Sequence, residues 1–159
     1  MSRLIALMAL AAAGCGPEPA GGGVVDSVQV LLRVPVEGEA RLSFAYDLAT
    51  TASEVESIMA ARWSGQGRYD GGLLSVHVLE AADGPLAEPT VLDLPAAPPD
   101  AYDRFFVSAS WPVPIAPGPG ELHLAFTIDG PELEVAGAME LWASTGDPDA
   151  TLELSVLQD

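Results

Sequence analysis

Apolar residues recur at every second position through most of the chain, and this alternation limits the possible folds more than any other feature. In "SVQVLLRV", Val28, Val30, Leu32 and Val34 point one way while Gln29 and Arg33 point the other. "RLSFAYDL" puts Leu42, Phe44, Tyr46 and Leu48 on one row, and "LLSVHVLE" does the same with Leu74, Val76 and Val78. "DRFFVSASW" aligns Phe105, Val107, Ala109 and Trp111, and "ELHLAFTI" aligns Leu122, Leu124, Phe126 and Ile128. "ELEVAGAMELW" follows with Leu133, Val135, Met139 and Leu141, and "TLELSV" with Leu152, Leu154 and Val156. A period of two gives an extended strand one side for a core and one for water. Between these runs lie clusters such as "PVEGEA", "PAAPPDA", "PIAPGPG", "DGPE" and "STGDPDA", rich in residues that set turn dihedrals. About eight or nine short strands without helical crossovers predict an all-β chain folded as a jelly-roll-like antiparallel β-sandwich.

One segment breaks the rule. "TASEVESIMAARWSG" starts like a helix, with Ser53 three residues before Glu56, Arg62 late and Gly65 beyond. Its Val55, Met59, Ala61 and Trp63 also share a strand face. Residues 54–63 therefore leave a short helix open, with strand favoured in their second half because it leads into the run at Leu73.

The N-terminus carries a different signal. Met1, Ser2 and Arg3 give a positive start, Leu4 to Ala13 an apolar run, and Ala12-Ala13-Gly14 a set of small residues before Cys15, the chain's one cysteine. That order is a secretory signal, and its apolar run is about half of the roughly 20 residues that a spanning helix needs. The "AAGC" ending resembles the signal of bacterial lipoproteins. The resemblance implies cleavage after residue 14, lipid on the Cys15 sulfur, and attachment to a membrane of the cell envelope. Gly rather than Asp at position 16 points, by the same resemblance, to the outer membrane, on its periplasmic side or at the surface. Residues 15–23, which include "GPEPAGGG", have the composition of a short tether. Fully extended it reaches roughly 30 Å. The expected organisation is thus a signal over residues 1–14, a lipid-anchored tether over 15–23 and a sandwich over 24–159.

With Cys15 committed to lipid, the sandwich has no cysteine for a disulfide, and packing alone must stabilise it. The net charge is −17, from 23 acidic residues against six basic ones, all arginine. Nucleic acid is excluded as a partner class, because phosphate binding needs clustered positive charge. The same sign repels anionic headgroups, so the membrane is reached through the lipid and not through the protein body.

Several residues are candidates for chemistry. Trp142 falls on the outer row of its strand with Glu140, Glu134 and Glu132, where an indole among acids can stack on a sugar ring or on a partner's apolar group. Large aromatics are mostly buried, however, and coverage by a neighbouring segment is the competing expectation. Trp63 and Trp111 fall on core faces. Asp147 and Asp149 flank Pro148 in "GDPDA", which suits a type I turn with no ligand and, alternatively, a weak calcium site. His77 and His123 lie on outward rows, as surface residues or, were their strands adjacent, as zinc ligands with Glu121. There is no Gly-x-Ser-x-Gly turn, His-Glu-x-x-His helix or phosphate loop.

The succession from "AARWSG" through "GGLLSVHVLE" and "TVLDLP" to "APGPGELHLAFTIDGPELEVAGAMELW" resembles carbohydrate-binding jelly-roll modules of the galactose-binding-like type. The expected function is a non-catalytic binding or interaction module, with an envelope protein or a glycan as partner and no required cofactor. A carbohydrate-binding module, as the resemblance implies, and a hydrolase that uses acidic residues are the alternatives.

Overall fold

The computed structural model describes residues 23–66, 70–79, 88–96 and 104–157. The signal segment, Cys15 and all of the tether but Gly23 lie outside the described residues. Nine strands run in chain order: β1 (Gly23–Val34), β2 (Ala40–Ala49), β3 (Glu56–Gln66), β4 (Asp70–Leu79), β5 (Thr90–Ala96), β6 (Arg104–Pro112), β7 (Gly118–Asp129), β8 (Leu133–Ser144) and β9 (Thr151–Val156).

Their pairing is nested. β1 pairs with β8, β2 with β7, β3 with β6 and β4 with β5, every pair antiparallel. A chain doubled back on itself and then rolled produces this arrangement, the double Greek key of a jelly roll. Rolling divides the strands into a four-stranded sheet, β1-β8-β3-β6, and a five-stranded sheet, β5-β4-β7-β2-β9, in which β9 adds an outer strand beside β2. The all-β antiparallel sandwich expected from the alternation is the observed fold.

Residues 56–66 settle as strand. β3 is bounded by β8 on one side and β6 on the other, and its Met59, Ala61 and Trp63 all face the core. The helix-start residues around Ser53 contribute only a local cap of about 1 kcal/mol. Burying Met59 and Trp63 between two sheets outweighs it.

The core joins the inner rows of both sheets. At its centre Phe126 of β7 meets two tryptophans from the opposite sheet, with ring centroids 5.8 Å from Trp63 and 6.4 Å from Trp111. Both contacts are edge-on, at 70° and 83°, the orientation that the ring quadrupoles favour. The assignment of Trp63 and Trp111 to the core thus holds.

One side of the sandwich is clasped by a side chain. Asp26, on the inner row near the start of edge strand β1, accepts the backbone N–H of Leu154 on edge strand β9 at 2.9 Å. An edge amide that would otherwise lack a partner is satisfied, and the two sheets are tied together there.

Candidate functional site

The outer face of the four-stranded sheet is built in rows fixed by strand register. Across one row lie Val25, Trp142 and Ile58, and across the next Ser27, Glu140 and Ala60. The third row carries Ala138, Arg62 and Ser108, and the fourth Leu31, Ala136, Ser64 and Phe106. Ala136, Ala138, Ser64 and Ser108 keep the surface low between the longer side chains of Glu140, Arg62 and Phe106. The result is a shallow groove of about 450 Å³ whose lining includes Arg62, Ser64, Phe106, Ser108, Ala138 and Glu140. At one end Phe106 and Leu31 rise on either side of Ala136 and Ser64, and they are 69% and 67% exposed.

Glu140 lies at the other end. It is 6% exposed and, among the described residues, is the one polar or charged residue that is buried. Its Oε2 atom has no hydrogen-bond partner. Burial raises the carboxyl above its ordinary pKa, while the nearby Trp142 indole and the Arg62 charge pull in the opposite direction. By hydrogen-bond geometry Trp142 Nε1 and Glu140 Oε2 each lack a partner, and Arg62 acts on the carboxyl through its charge. A raised carboxyl pKa means that ionisation costs the folded state, so the stabilising contribution is full below the ordinary value of 4.5 and is lost as pH rises through the folded-state value. Glu140→Met is accordingly expected to be more stable than the wild type at pH 7 by about 1 kcal/mol, the low end for an unsatisfied buried polar group because the groove opens to water beside it. Thermal melts at pH 7 and pH 4 check this, and the gain should disappear at the lower pH.

Trp142 sits on the outer row as expected, but it is not presented to ligand. Its ring is 8% exposed and packs with Ala60, Val25 and Ile58 into a small cluster on the sheet surface. Coverage by neighbouring strands, the competing expectation, is what the packing produces. Glu134 lies on the same face, six residues from Glu140 along β8, which is roughly 20 Å in an extended strand. It is paired with Arg33 of β1, whose Nε reaches Glu134 Oε2 at 2.8 Å. Trp142 and Glu140 are thus neighbours, and Glu134 belongs to a separate surface ion pair.

Asp147 is engaged by its own loop and by the β2–β3 connection. Its Oδ2 accepts the Thr50 hydroxyl at 2.9 Å, the Thr51 backbone N–H at 2.9 Å and the Thr51 hydroxyl at 3.2 Å, while Oδ1 accepts the Asp149 N–H at 3.0 Å. The carboxylate latches the β2–β3 connection to the β8–β9 connection. Among the described residues no group of three or more His, Cys, Asp or Glu side chains is arranged to hold a metal ion. The donors, led by the Thr51 and Asp149 amides, lower the Asp147 pKa from 3.8 to about 2. A depressed value stabilises the fold above the ordinary pKa and ceases to do so as pH falls through the folded one. The melting-temperature advantage of wild type over Asp147→Asn should hold at neutral pH and close between about pH 4 and pH 2.

The two histidines do lie on adjacent strands of the other sheet, since His77 is on β4 and His123 on β7. They do not converge. His123 Nδ1 is 2.8 Å from Ser43 Oγ and its Nε2 is 3.1 Å from Glu121 Oε2, whereas His77 Nε2 is 3.3 Å from Thr127 Oγ1. Ser43, His123 and Glu121 have the composition of an acyl-transfer triad. However, β2 and β7 are each paired on both sides, so their ladder amides are committed to neighbouring strands and are not available to stabilise an oxyanion. The cluster is a polar seam between strands.

The groove residues Arg62, Ser64 and Phe106 were not singled out in the sequence, although one signal was there. With Phe105 and Val107 in the inner register, Phe106 had to point outward. No family model, curated protein or solved structure matches this chain.

Proposed function

We propose that this chain is a lipid-anchored, non-catalytic binding module of the bacterial cell envelope, attached through Cys15, with the groove on the four-stranded sheet as its ligand face. The observation that carries the reading is the Glu140 carboxylate, buried at the end of the groove with one oxygen unpartnered. A sandwich without disulfides has little stability to spare, and an ionisable group that weakens it is the kind of cost associated with binding sites. The exposed Phe106 ring at the opposite end supplies apolar contact area. The anchor rests on the charge, apolar run and small residues that precede Cys15.

Two experiments test the two halves. In a bacterial host the full chain should partition with membranes, and Cys15→Ala should move it to the soluble fraction, because several acyl chains at roughly 0.8 kcal/mol per buried CH₂ are its main attachment. Mass spectrometry showing an unmodified sulfur on the mature chain would sink the anchor. For the ligand face, envelope components cross-linked to the wild type should be lost from a variant carrying both Phe106→Ala and Arg62→Ala. Identical cross-linked products from the two proteins would remove the groove from consideration.

A further inference from the structure

We propose that the groove binds an extended basic segment of a partner protein, with an arginine or lysine side chain against Glu140 and an apolar side chain four residues away between Phe106 and Leu31. The inference rests on the groove being the ligand face and adds the chemistry of the ligand. A buried carboxylate oxygen without a donor is best satisfied by a cationic N–H group, which supplies both the hydrogen bond and the counter-charge. Arg62, on the adjacent row, acts on Glu140 through its charge but leaves Oε2 without a hydrogen-bond donor. The opposite end of the groove has different chemistry. There the exposed Phe106 and Leu31 flank the floor of Ala136 and Ser64 and offer apolar contact.

The spacing matches an extended chain. Glu140 and Ala136, which mark the two ends, are four residues apart on β8, or roughly 13 Å. An extended ligand lying along the strands repeats the same distance between its residues i and i+4, which face the same way. Arg62, in the row between, is placed to donate to the ligand's backbone carbonyls. The long-range field also favours such a partner: with 23 acidic residues against six basic ones, the protein attracts basic segments and speeds their encounter.

The test uses the full chain in detergent micelles and a fluorescent decapeptide with arginine and leucine four residues apart in a Gly/Ser background. Saturable binding is expected, weakened at least tenfold by Glu140→Gln and by replacing the arginine with citrulline, and weakened also by Phe106→Ala. Glu140→Gln should melt no lower than wild type, so the lost affinity cannot be blamed on unfolding. Equal affinity of wild type and Glu140→Gln would overturn the inference, because it would reduce the attraction to the net charge of the whole surface. Binding of a neutral soluble glucan that depends on Phe106, with no binding of the peptide, would also overturn it while leaving the groove as ligand face.

Discussion

Phe126→Ala is expected to destabilise the sandwich by about 3–5 kcal/mol, the range for deleting a large buried aromatic side chain. Phe126 is fully buried and is the one ring of the central trio contributed by the five-stranded sheet. Its removal leaves Trp63 and Trp111, 6.5 Å apart, without their edge-on partner, and opens a cavity between two sheets that cannot easily approach each other. A domain of this size has about 5–15 kcal/mol of stability in total, so the variant should sit near the threshold of folding. Urea titration followed by tryptophan fluorescence measures the loss directly. A change below about 1 kcal/mol would mean that the two sheets do not pack through this cluster.

Gly137→Ala is also expected to destabilise the fold, although it adds a single methyl group. Gly137 lies in β8 opposite Trp63 of β3, at the middle of the four-stranded sheet. An added Cβ would collide with the Arg62 carbonyl oxygen and stand 3.0 Å from the Trp63 Cα, so the obstacle is backbone and not a side chain that can turn away. Relief requires the two strands to separate where each also pairs with another neighbour. Overpacking of this kind costs about 1–3 kcal/mol and sometimes more. Thermal denaturation of Gly137→Ala against Ala136→Gly, one position away on the outer face, separates crowding from a general strand effect. Similar melting temperatures for the two would refute the steric account.

Both effects arise from register, and register explains how much of the molecule was legible in the sequence. The inner rows were readable because the side-chain period of a strand is two and the turns between strands are marked by Pro, Gly and Asp. Phe126, Trp63 and Trp111 were therefore assigned to the core from the chain alone. The segment at 54–63 was ambiguous because its local signals describe a helix start as well as a strand, and only the position of β3 between β8 and β6 decides. Trp142 shows the same limit from the other side. Its outer-row placement followed from alternation, but whether an outer ring is covered depends on Ala60, Val25 and Ile58, which come from strands distant in sequence.

The candidate site was half readable for the same reason. Glu140 stood out beside Trp142 on one strand, but Arg62 and Phe106 reach the groove from β3 and β6. Asp147 was placed correctly in a turn, and its donors Thr50 and Thr51 lie 97 and 96 residues away. Alternation and turn chemistry belong to neighbouring residues, so the sequence by itself determined the class of fold and the division between inner and outer rows. Which strands lie side by side was decided by the nested pairing of the jelly roll, through the burial of side chains between two sheets. That long-range choice alone places an unpartnered carboxylate at one end of a groove and an exposed phenylalanine at the other.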